Sequence, residues 1–183
     1  MLPDTKPGLT IDEHGICSAC RMVEYKKTID WEGRQKKLKE LCNKIKGKNG
    51  YGYDCIVPVS GGKDSWVQAL TLSEKLGLKT LCVTLANHLP TTEGMANLNN
   101  MIKDLNVDHM KINLKPSFYR SVRKKCTIEQ GEPNWAEHCA VFSSVVNIAV
   151  IYDVPLIVCI KSSTPWSILV VLSSSISTLV IFK

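Results

Sequence analysis

The sequence predicts an α/β fold: a doubly wound, Rossmann-like parallel sheet, preceded by an irregular segment that contains cysteines. Between residues 54 and 160, short apolar runs alternate with longer segments of helical periodicity. This alternation is typical of a parallel sheet with helices on both faces. The apolar run 55–59 leads through a glycine turn into a segment of helical spacing, as in a strand, turn and helix unit. A chain of 183 residues suits one domain with a sizeable core.

The N-terminal part precedes this alternation. Residues 1–25 have neither a helical nor a strand period and are expected to be irregular. Asp30 is a candidate N-cap for a helix. The buried stripe of that helix is expected to comprise Trp31, Leu38, Leu41 and Ile45. Residues 46–53 are rich in glycine and predict a loop.

The strands and helices of the main part follow in order. The predicted strands span residues 54–60, 80–85, 108–113 and 155–160. The predicted helices span residues 64–76, 92–106, 116–129 and 138–152. Gly77 is expected to end the first of these helices. Pro58 is placed near the carboxyl end of its strand, because a proline inside a central strand removes a donor from the ladder.

Composition and charge are those of an ordinary soluble protein. The formal net charge is +6, but much of the excess comes from lysines of the segment 36–48, for which a solvated helix face is the usual explanation. A dedicated nucleic-acid surface is therefore not expected. The eight cysteines are spread along an α/β pattern and no signal peptide is seen. We therefore expect reduced thiols in a cytoplasmic protein, several of them in the core.

The most informative motif is the hexapeptide Ser60-Gly61-Gly62-Lys63-Asp64-Ser65, which we call the SGGKDS loop. A Walker A loop needs a glycine five places before its Gly-Lys pair and a Ser or Thr directly after it, but Val57 and Asp64 occupy those places. A dinucleotide fingerprint needs G-x-G-x-x-G, which two adjacent glycines do not supply. The hexapeptide resembles the PP-loop of the ATP pyrophosphatase superfamily at all six residues. The alternative is a Gly-Gly turn without a ligand.

This resemblance implies that ATP binds at the loop, is cleaved between its α- and β-phosphates, and adenylates an oxygen of a second substrate. The residue types suit that chemistry. Backbone amides at Gly61 and Gly62 can approach an anion because no Cβ intervenes, and the helix N-terminus that follows favours phosphate. The hydroxyls of Ser60 and Ser65 add hydrogen-bond donors, and Lys63 offsets the charge of the departing pyrophosphate.

Other polar residues are expected near the same place. Asp64 would repel ATP unless a cation intervened, so we infer Mg²⁺ near the phosphates, with Asp64 as a ligand or as a group that orients the loop. Ligands of open parallel sheets bind beyond the carboxyl ends of the strands. This rule adds Thr84, Asn87 and His88, and the segment Lys111 to Asn113. Of these, Thr84 is assigned to the nucleotide, with a turn or surface role as the alternative.

Several separated stretches, taken together, resemble the N-acetyl sugar amidotransferases, bacterial PP-loop enzymes of surface-polysaccharide and flagellar-glycan pathways. They include residues 3–10, 15–20, 56–65, 133–138 and 154–158. The resemblance implies that ATP activates the acetamido oxygen of an N-acetyl sugar and that ammonia from a glutaminase partner replaces it. His138 is the candidate for substrate contact, with a capping or core histidine as the alternative. No membrane partner is expected, and a homo-oligomer stays open.

The chain departs from that family at two places. Relatives usually carry a further Cys-x-x-Cys before residue 3, which would join Cys17 and Cys20 in a four-thiolate Zn²⁺ site. Two thiolates do not make a closed structural site, so zinc is expected only with help from Cys42, His14 or a partner chain.

The second departure is the end of the chain. Residues 161–183 form a serine-rich, apolar tail without family likeness, whereas the family continues. A truncated or frameshifted end, or an unusual strand pair, is favoured over a transmembrane helix, because the uncharged span is short and carries many hydroxyls. We accordingly expect three parts and ATP binding without full turnover. The three parts are residues 1–50, 51–160 and 161–183.

Two other functions stay open at this point. A PP-loop enzyme of tRNA sulfur transfer would use cysteine thiols and a basic surface, which the cysteine pair and the positive charge suit and the family-like segment 3–10 does not. A remnant domain that binds a nucleotide or a partner without turnover is the non-enzymatic alternative.

Overall fold

Helices cover the sheet and precede it in the computed structural model, which describes residues 8–50, 52–86, 90–160, 168–172 and 179–182. The helices are α1 (Ser18–Lys27), α2 (Trp31–Ile45), α3 (Lys63–Leu70), α4 (Thr92–Leu105), α5 (Pro116–Gln130) and α6 (Trp135–Ile151). The strands are β1 (Cys55–Pro58), β2 (Thr80–Leu85), β3 (Asp108–Ile112), β4 (Leu156–Ile160), β5 (Ile168–Leu172) and β6 (Leu179–Phe182). The chain divides into two units, residues 1–41 and 42–183.

The first unit contains a turn and a helix that the sequence did not predict. The Asp12 carboxylate accepts hydrogen bonds from the backbone N–H groups of His14 and Ile16, at 2.9 and 2.7 Å, and forms an ion pair with Arg21. Helix α1 follows directly, so the expectation of irregular structure up to residue 25 was wrong. None of the residues of α1 is buried, and without a buried face there is no apolar period to recognise.

Helix α2 begins as predicted, and its predicted buried stripe is confirmed at Ile45 but not at Trp31. The Asp30 carboxylate accepts a hydrogen bond from the Gly33 N–H at 2.8 Å, which confirms the predicted N-cap. Trp31 is 44% exposed, so its place in the buried stripe was wrong. Cys42 and Ile45, in the last turn, are the buried residues of this helix. Burial is therefore confined to the end of α2 that adjoins the sheet in sequence.

The sheet has the strand order β3-β2-β1-β4-β5-β6. Strands β1 to β4 are mutually parallel, and β5 and β6 continue the sheet in antiparallel fashion. The predicted Rossmann-like parallel sheet is thus confirmed for the first four strands. Its core joins β1, β2 and β4 to α6 through Ile56, Leu81, Val83, Val145, Ile148, Ala149, Val154 and Ile157. Chain order reverses between β1 and β4, so the topological switch point lies at β1.

Strand and helix bounds agree closely with the predicted ones, with two informative exceptions. The helix predicted for 64–76 is α3 followed by a π-helical turn, Thr71–Lys75, in which the Leu76 N–H donates to the Thr71 carbonyl at 3.0 Å. Gly77 has a φ of +64° and ends it as predicted. Helix α6 begins at Trp135, three residues earlier than predicted, because Glu132 accepts from the backbone of 134–135 and starts the turn.

Pro58 is the last residue of β1, as predicted, and the ladder continues past it because the Val59 N–H donates to the Val83 carbonyl at 2.8 Å. At the other end of β1, buried Asp54 accepts from the N–H groups of Gly47 and Lys79, at 2.7 and 2.9 Å. Its two carboxylate oxygens fix the loop before β1 to the residue before β2. The charge of Asp54 is therefore matched by two backbone donors.

The alternatives for the tail can now be compared with the strands. Ile168–Leu172 and Leu179–Phe182 form a strand pair that extends the sheet from β4, while the remainder of 161–183 lies outside the described residues. Among the helices of the described residues, none combines the length and apolarity that crossing a membrane requires.

Candidate functional site

The SGGKDS loop joins the carboxyl end of β1 to α3. Buried Val59 ends the strand side, and Ser60 is already exposed. Gly61 turns the chain with a φ of +81°, and Gly62 is the N-cap of α3 with φ −80° and ψ 154°. Since β1 adjoins the switch point, the loop lies where open parallel sheets bind their ligands.

The two glycines of the loop serve different purposes. A Cβ built on Gly61 would lie 2.4 Å from the carbonyl oxygen of Gly94 and 3.2 Å from the backbone nitrogen of Leu98, both in α4. Gly61 is therefore required by the approach of α4, a reason that the sequence did not predict, and its role in admitting a ligand to the backbone stays a prediction. A Cβ on Gly62 would meet only the Ser60 hydroxyl, at 3.6 Å. Gly62, which is exposed, keeps the predicted role of an open approach to the backbone.

The N-terminus of α3 has no side-chain cap, because Gly62 supplies none. The free N–H groups of the first turn therefore stay available to an anion. Ser65 is buried, and its hydroxyl donates to the Gly62 carbonyl at 2.9 Å, which closes the loop. Lys63 and Asp64 are exposed, with Nζ and Oδ1 3.9 Å apart. Such an exposed pair contributes little stability, so both side chains are available to a ligand.

A cavity of about 490 Å³ opens beside the loop, at the carboxyl ends of β1 and β2. Its volume is in the range of sites for small molecules and cofactors. Of the polar residues predicted at the site, those lining it are Ser60, Asp64, Ser65, Thr84 and Lys111. Gly61, Gly62 and Lys63 lie in the same loop but not in the cavity wall. Asn87 and His88 lie outside the described residues.

Thr84 lies near the carboxyl end of β2, where hydrogen bonds hold its side chain in place. Its hydroxyl donates to the Val59 carbonyl at 2.8 Å, and His109 Nε2 lies 2.9 Å from the same oxygen. Burial, and then the charge of Lys111, lower the pKa of His109, so the ring is neutral near pH 7. Because the Thr84 proton is committed to Val59, the His109 ring donates from Nε2. Thr84 thus joins β1 to β3 below the cavity, and His109 is a supporting residue that sequence reasoning missed.

Helix α6 places Glu137, and not His138, in the cavity wall. The hydroxyl of buried Tyr119 donates to Glu137 Oε2 at 2.8 Å and so fixes the carboxylate. Burial first, and then Glu137, raise the pKa of Tyr119, which keeps this hydroxyl protonated. His138 is exposed, and its backbone N–H donates to the Asn134 carbonyl in the first turn of the helix. The structure therefore does not bring His138 together with the loop.

Gln68 is a second cavity residue that sequence reasoning missed. It follows Asp64 by four positions and Ser65 by three, so the three residues share one face of α3. Its Nε2 is buried, yet it has no hydrogen-bond partner within the part of the chain that the structure describes. Helical spacing from the SGGKDS loop was the available signal.

A second cavity, of about 460 Å³, lies at the opposite edge of the sheet, where the chain enters β1, β2 and β3. Its wall includes Tyr53, Lys79 and Asp108, and the Tyr53 hydroxyl donates to Asp108 Oδ2 at 3.0 Å. Although similar in size, this cavity faces the amino ends of the strands. Position relative to the switch point favours the cavity beside the SGGKDS loop.

The predicted metal ligands lie in the first unit. Cys17 precedes α1 and Cys20 lies in its first turn, with the two Sγ atoms 3.4 Å apart. Hydrogen bonds from the backbone N–H and the thiol of Cys20 lower the pKa of Cys17. Over the described ranges, no cluster of three or more His, Cys, Asp or Glu side chains is arranged to hold a metal. Two thiols do not fit a structural zinc site, which needs four ligands, so zinc is not supported.

Together these features define an α/β protein with a Rossmann-type sheet and an uncapped helix N-terminus beside a cavity at the switch point. No protein-family model matches the chain. Over 110 residues it is 34% identical to the uncharacterized protein MJ1599 of Methanocaldococcus jannaschii, covering 60% of this chain and 39% of that protein. The chain thus spans about two fifths of the length of this relative.

Among solved structures, the chain is similar to NMN synthetase from Francisella tularensis, with a TM-score of 0.50 and 22% identity, covering 65% of this chain and 50% of that one. It is also similar to the NH3-dependent NAD synthetase from Campylobacter jejuni, with a TM-score of 0.49 and 16% identity, covering 70% of this chain and 56% of that one. The likeness to NMN synthetase establishes the fold.

Proposed function

We propose that this chain is the ATP-binding part of an AMP-forming amidotransferase that activates the acetamido oxygen of an N-acetyl sugar for replacement by ammonia. The observation that carries the proposal is the SGGKDS loop, which opens an uncapped helix at the switch point beside a cavity of about 490 Å³. A fold shared with a synthetase agrees with it. The proposal of an N-acetyl sugar as the substrate rests on the resemblance of the sequence to the N-acetyl sugar amidotransferases.

The loop offers the groups that a triphosphate needs. The free N–H groups at the start of α3 form the positive end of the helix dipole, which favours phosphate. Because Gly62 has no Cβ, the backbone at this point stays open to a ligand. Lys63, with its exposed ammonium, offsets phosphate charge. Asp64 lies in the cavity wall with Ser60 and Ser65. Mg²⁺ usually takes one or two carboxylates together with phosphate oxygens, so Asp64 suits it, and bound Mg²⁺ would neutralise charge on the phosphates.

The reaction balances with ATP and ammonia as co-substrates. The acetamido oxygen attacks the α-phosphorus of ATP, the bond to the β-phosphate oxygen breaks, and pyrophosphate leaves. Ammonia then attacks the activated carbon, and AMP departs with the former acetamido oxygen to leave an acetamidino group. An amide oxygen leaves readily only after adenylation, so the protein supplies chiefly positioning and electrostatic stabilisation.

Glu137 is proposed for the role first considered for His138. Glu137 and Phe142 both lie in the cavity wall, and the Tyr119 hydroxyl orients the Glu137 carboxylate by donating to its Oε2 at 2.8 Å. A fixed carboxylate can accept a hydrogen bond from the acetamido N–H or from incoming ammonia. The apolar ring of Phe142 suits the methyl group of an acetamido substituent. A glutaminase partner is proposed as the source of ammonia.

ATP binding by the purified chain tests the first step. Isothermal titration calorimetry with ATP in the presence of Mg²⁺ should detect binding. Lys63→Ala should weaken the affinity for ATP by roughly tenfold, because one charge-assisted contact is lost. Lys124→Ala, which removes an exposed lysine of α5, is the matched control and should bind as the wild type does. The absence of ATP binding would contradict the proposed function.

Transfer of a heavy-oxygen label tests the chemistry. An N-acetyl sugar that carries the label in its acetamido oxygen, with ATP and ammonium, should yield labelled AMP, since the oxygen departs with the phosphate. Mass spectrometry of AMP and of the sugar detects both products. Unlabelled AMP would mean attack by water or by another group. Binding of tRNA with steep salt dependence would instead favour sulfur transfer.

A further inference from the structure

Among the described residues that line the cavity, Gln68 has a buried amide nitrogen, Nε2, without a hydrogen-bond partner. Buried polar groups in native proteins are nearly always paired, and an exception calls for an explanation such as a missing ligand. Gln68 Nε2 is buried without a partner among the described residues, and Gln68 lines the cavity beside the SGGKDS loop. An amide nitrogen that folding alone leaves unpaired is suited to donate to a ligand.

The position of Gln68 indicates which part of a nucleotide it would meet. With a rise of 1.5 Å per residue, Gln68 lies about 6 Å further along α3 than Asp64, and so away from the phosphate-binding end. The cavity wall also contains apolar side chains, namely those of Val83, Met95 and Leu98. Pockets that combine apolar side chains with a few placed polar groups are typical of sites for small molecules and cofactors, and the apolar part of this wall suits a flat ring. The phosphates and the base would thus occupy successive parts of one cavity.

We infer that Gln68 reads the base of the nucleotide and selects adenine, an inference that rests on the proposed function. A glutamine amide presents one donor and one acceptor side by side, which matches the N7 acceptor and N6 amino donor of adenine. Guanine presents two acceptors, N7 and O6, at the same edge, so one half of the amide stays unpaired. Gln68 is accordingly a specificity residue, distinct from the loop that holds the phosphates.

Nucleotide titrations of the whole chain test this inference. The wild type should bind ATP roughly tenfold or more tightly than GTP, the discrimination typical of one bidentate amide and base pair. Gln68→Leu should weaken ATP binding by about that factor, leave GTP binding nearly unchanged, and bring the two affinities together. Gln68→Glu keeps the shape and the acceptor but removes the donor, and should also weaken ATP binding. Gln130→Leu, at the exposed end of α5, is the control and should keep the preference.

Thermal melting without nucleotide separates a binding role from a structural one. Because Nε2 has no described partner to lose, Gln68→Leu should melt at or above the wild-type temperature. If the wild type binds ATP but does not prefer it, or if Gln68→Leu retains the preference, Gln68 does not read the base while the proposed function stands. If the wild type binds no nucleotide, both the proposed function and this inference are refuted.

Discussion

Replacing Gly61 with alanine should strongly destabilise the protein, although the residue lies in a loop. Two independent costs arise at this position. Its φ of +81° is in the left-handed region, which costs an L-residue roughly 1–2 kcal/mol. The new Cβ would also lie 2.4 Å from the Gly94 carbonyl oxygen. That oxygen belongs to the backbone of α4, so it cannot move without moving the helix.

The size of the effect follows from these two costs. Overpacking a well-packed site costs typically 1–3 kcal/mol, so we expect Gly61→Ala to lower the free energy of unfolding by about 2–5 kcal/mol. Urea denaturation followed by circular dichroism measures it. Two variants separate the costs. Gly131 has a φ of +69°, and a Cβ added there would meet no described atom within 4 Å, so Gly131→Ala measures the backbone cost alone.

The adjacent Gly62 is the second comparison. Its φ is −80°, and its Cβ would meet only the Ser60 hydroxyl at 3.6 Å. Gly62→Ala should lower the free energy of unfolding by no more than about 1 kcal/mol, the usual effect of alanine at an N-cap, but it should weaken ATP binding because it narrows the approach to the α3 amides. Equal stability of Gly61→Ala and Gly131→Ala would refute the close packing of α4 against the loop.

Three further predictions concern the core and the site. Asp54→Ala leaves two backbone N–H groups without their carboxylate and should lower the urea-determined free energy of unfolding by about 3 kcal/mol. Burial raises the pKa of Cys82 from 9.0 to about 12. As the pH rises, the Cys82 thiol therefore ionises in the unfolded chain before it does so in the folded protein, and the free energy of unfolding falls above pH 9.0. Urea denaturation at several pH values should show a smaller fall for Cys82→Ala than for the wild type. Tyr119→Phe removes the hydrogen bond to Glu137 and should lower the free energy of unfolding, followed by thermal melting, by about 1 kcal/mol.

Each of these variants has an exposed counterpart that should leave stability nearly unchanged. The counterparts are Asp104→Ala, Cys139→Ala and Tyr25→Phe. A similar loss in Asp104→Ala would mean that the buried pairing of Asp54 is not the cause. An unchanged pH dependence in Cys82→Ala would exclude that thiol as a source of the alkaline loss. Full stability of Tyr119→Phe would show that its hydroxyl does not hold Glu137.

The order of strands and helices was predictable because local patterns carry it. The apolar run before Ser60, the capping aspartate Asp30 and the stop at Gly77 each act within a few residues of their own position. Helix α1 was missed for the same reason, since it buries none of its residues and so leaves no pattern. The start of α6 was missed because a turn set by Glu132 precedes it.

The candidate site was predictable only in part. The SGGKDS loop could be found because its six residues are contiguous, and Thr84 because it lies near the carboxyl end of a predicted strand. Glu137 comes together with the loop through the packing of α6, which spacing along the chain does not show, whereas helical spacing from Asp64 could have pointed to Gln68. His138 was the candidate from the sequence, whereas the structure places its neighbour Glu137 in the cavity wall.

By itself the sequence determined the parallel α/β order and the strand, glycine turn and helix of the SGGKDS loop, because backbone geometry and apolar periodicity act over short distances. Tertiary structure alone decided that Gly61 must be glycine because α4 packs against it, that Glu137 and not His138 lies in the cavity wall, and that the amide nitrogen of Gln68 has no partner among the described residues. These results depend on distances between segments far apart in the chain, and such distances are set only when the helices pack on the sheet.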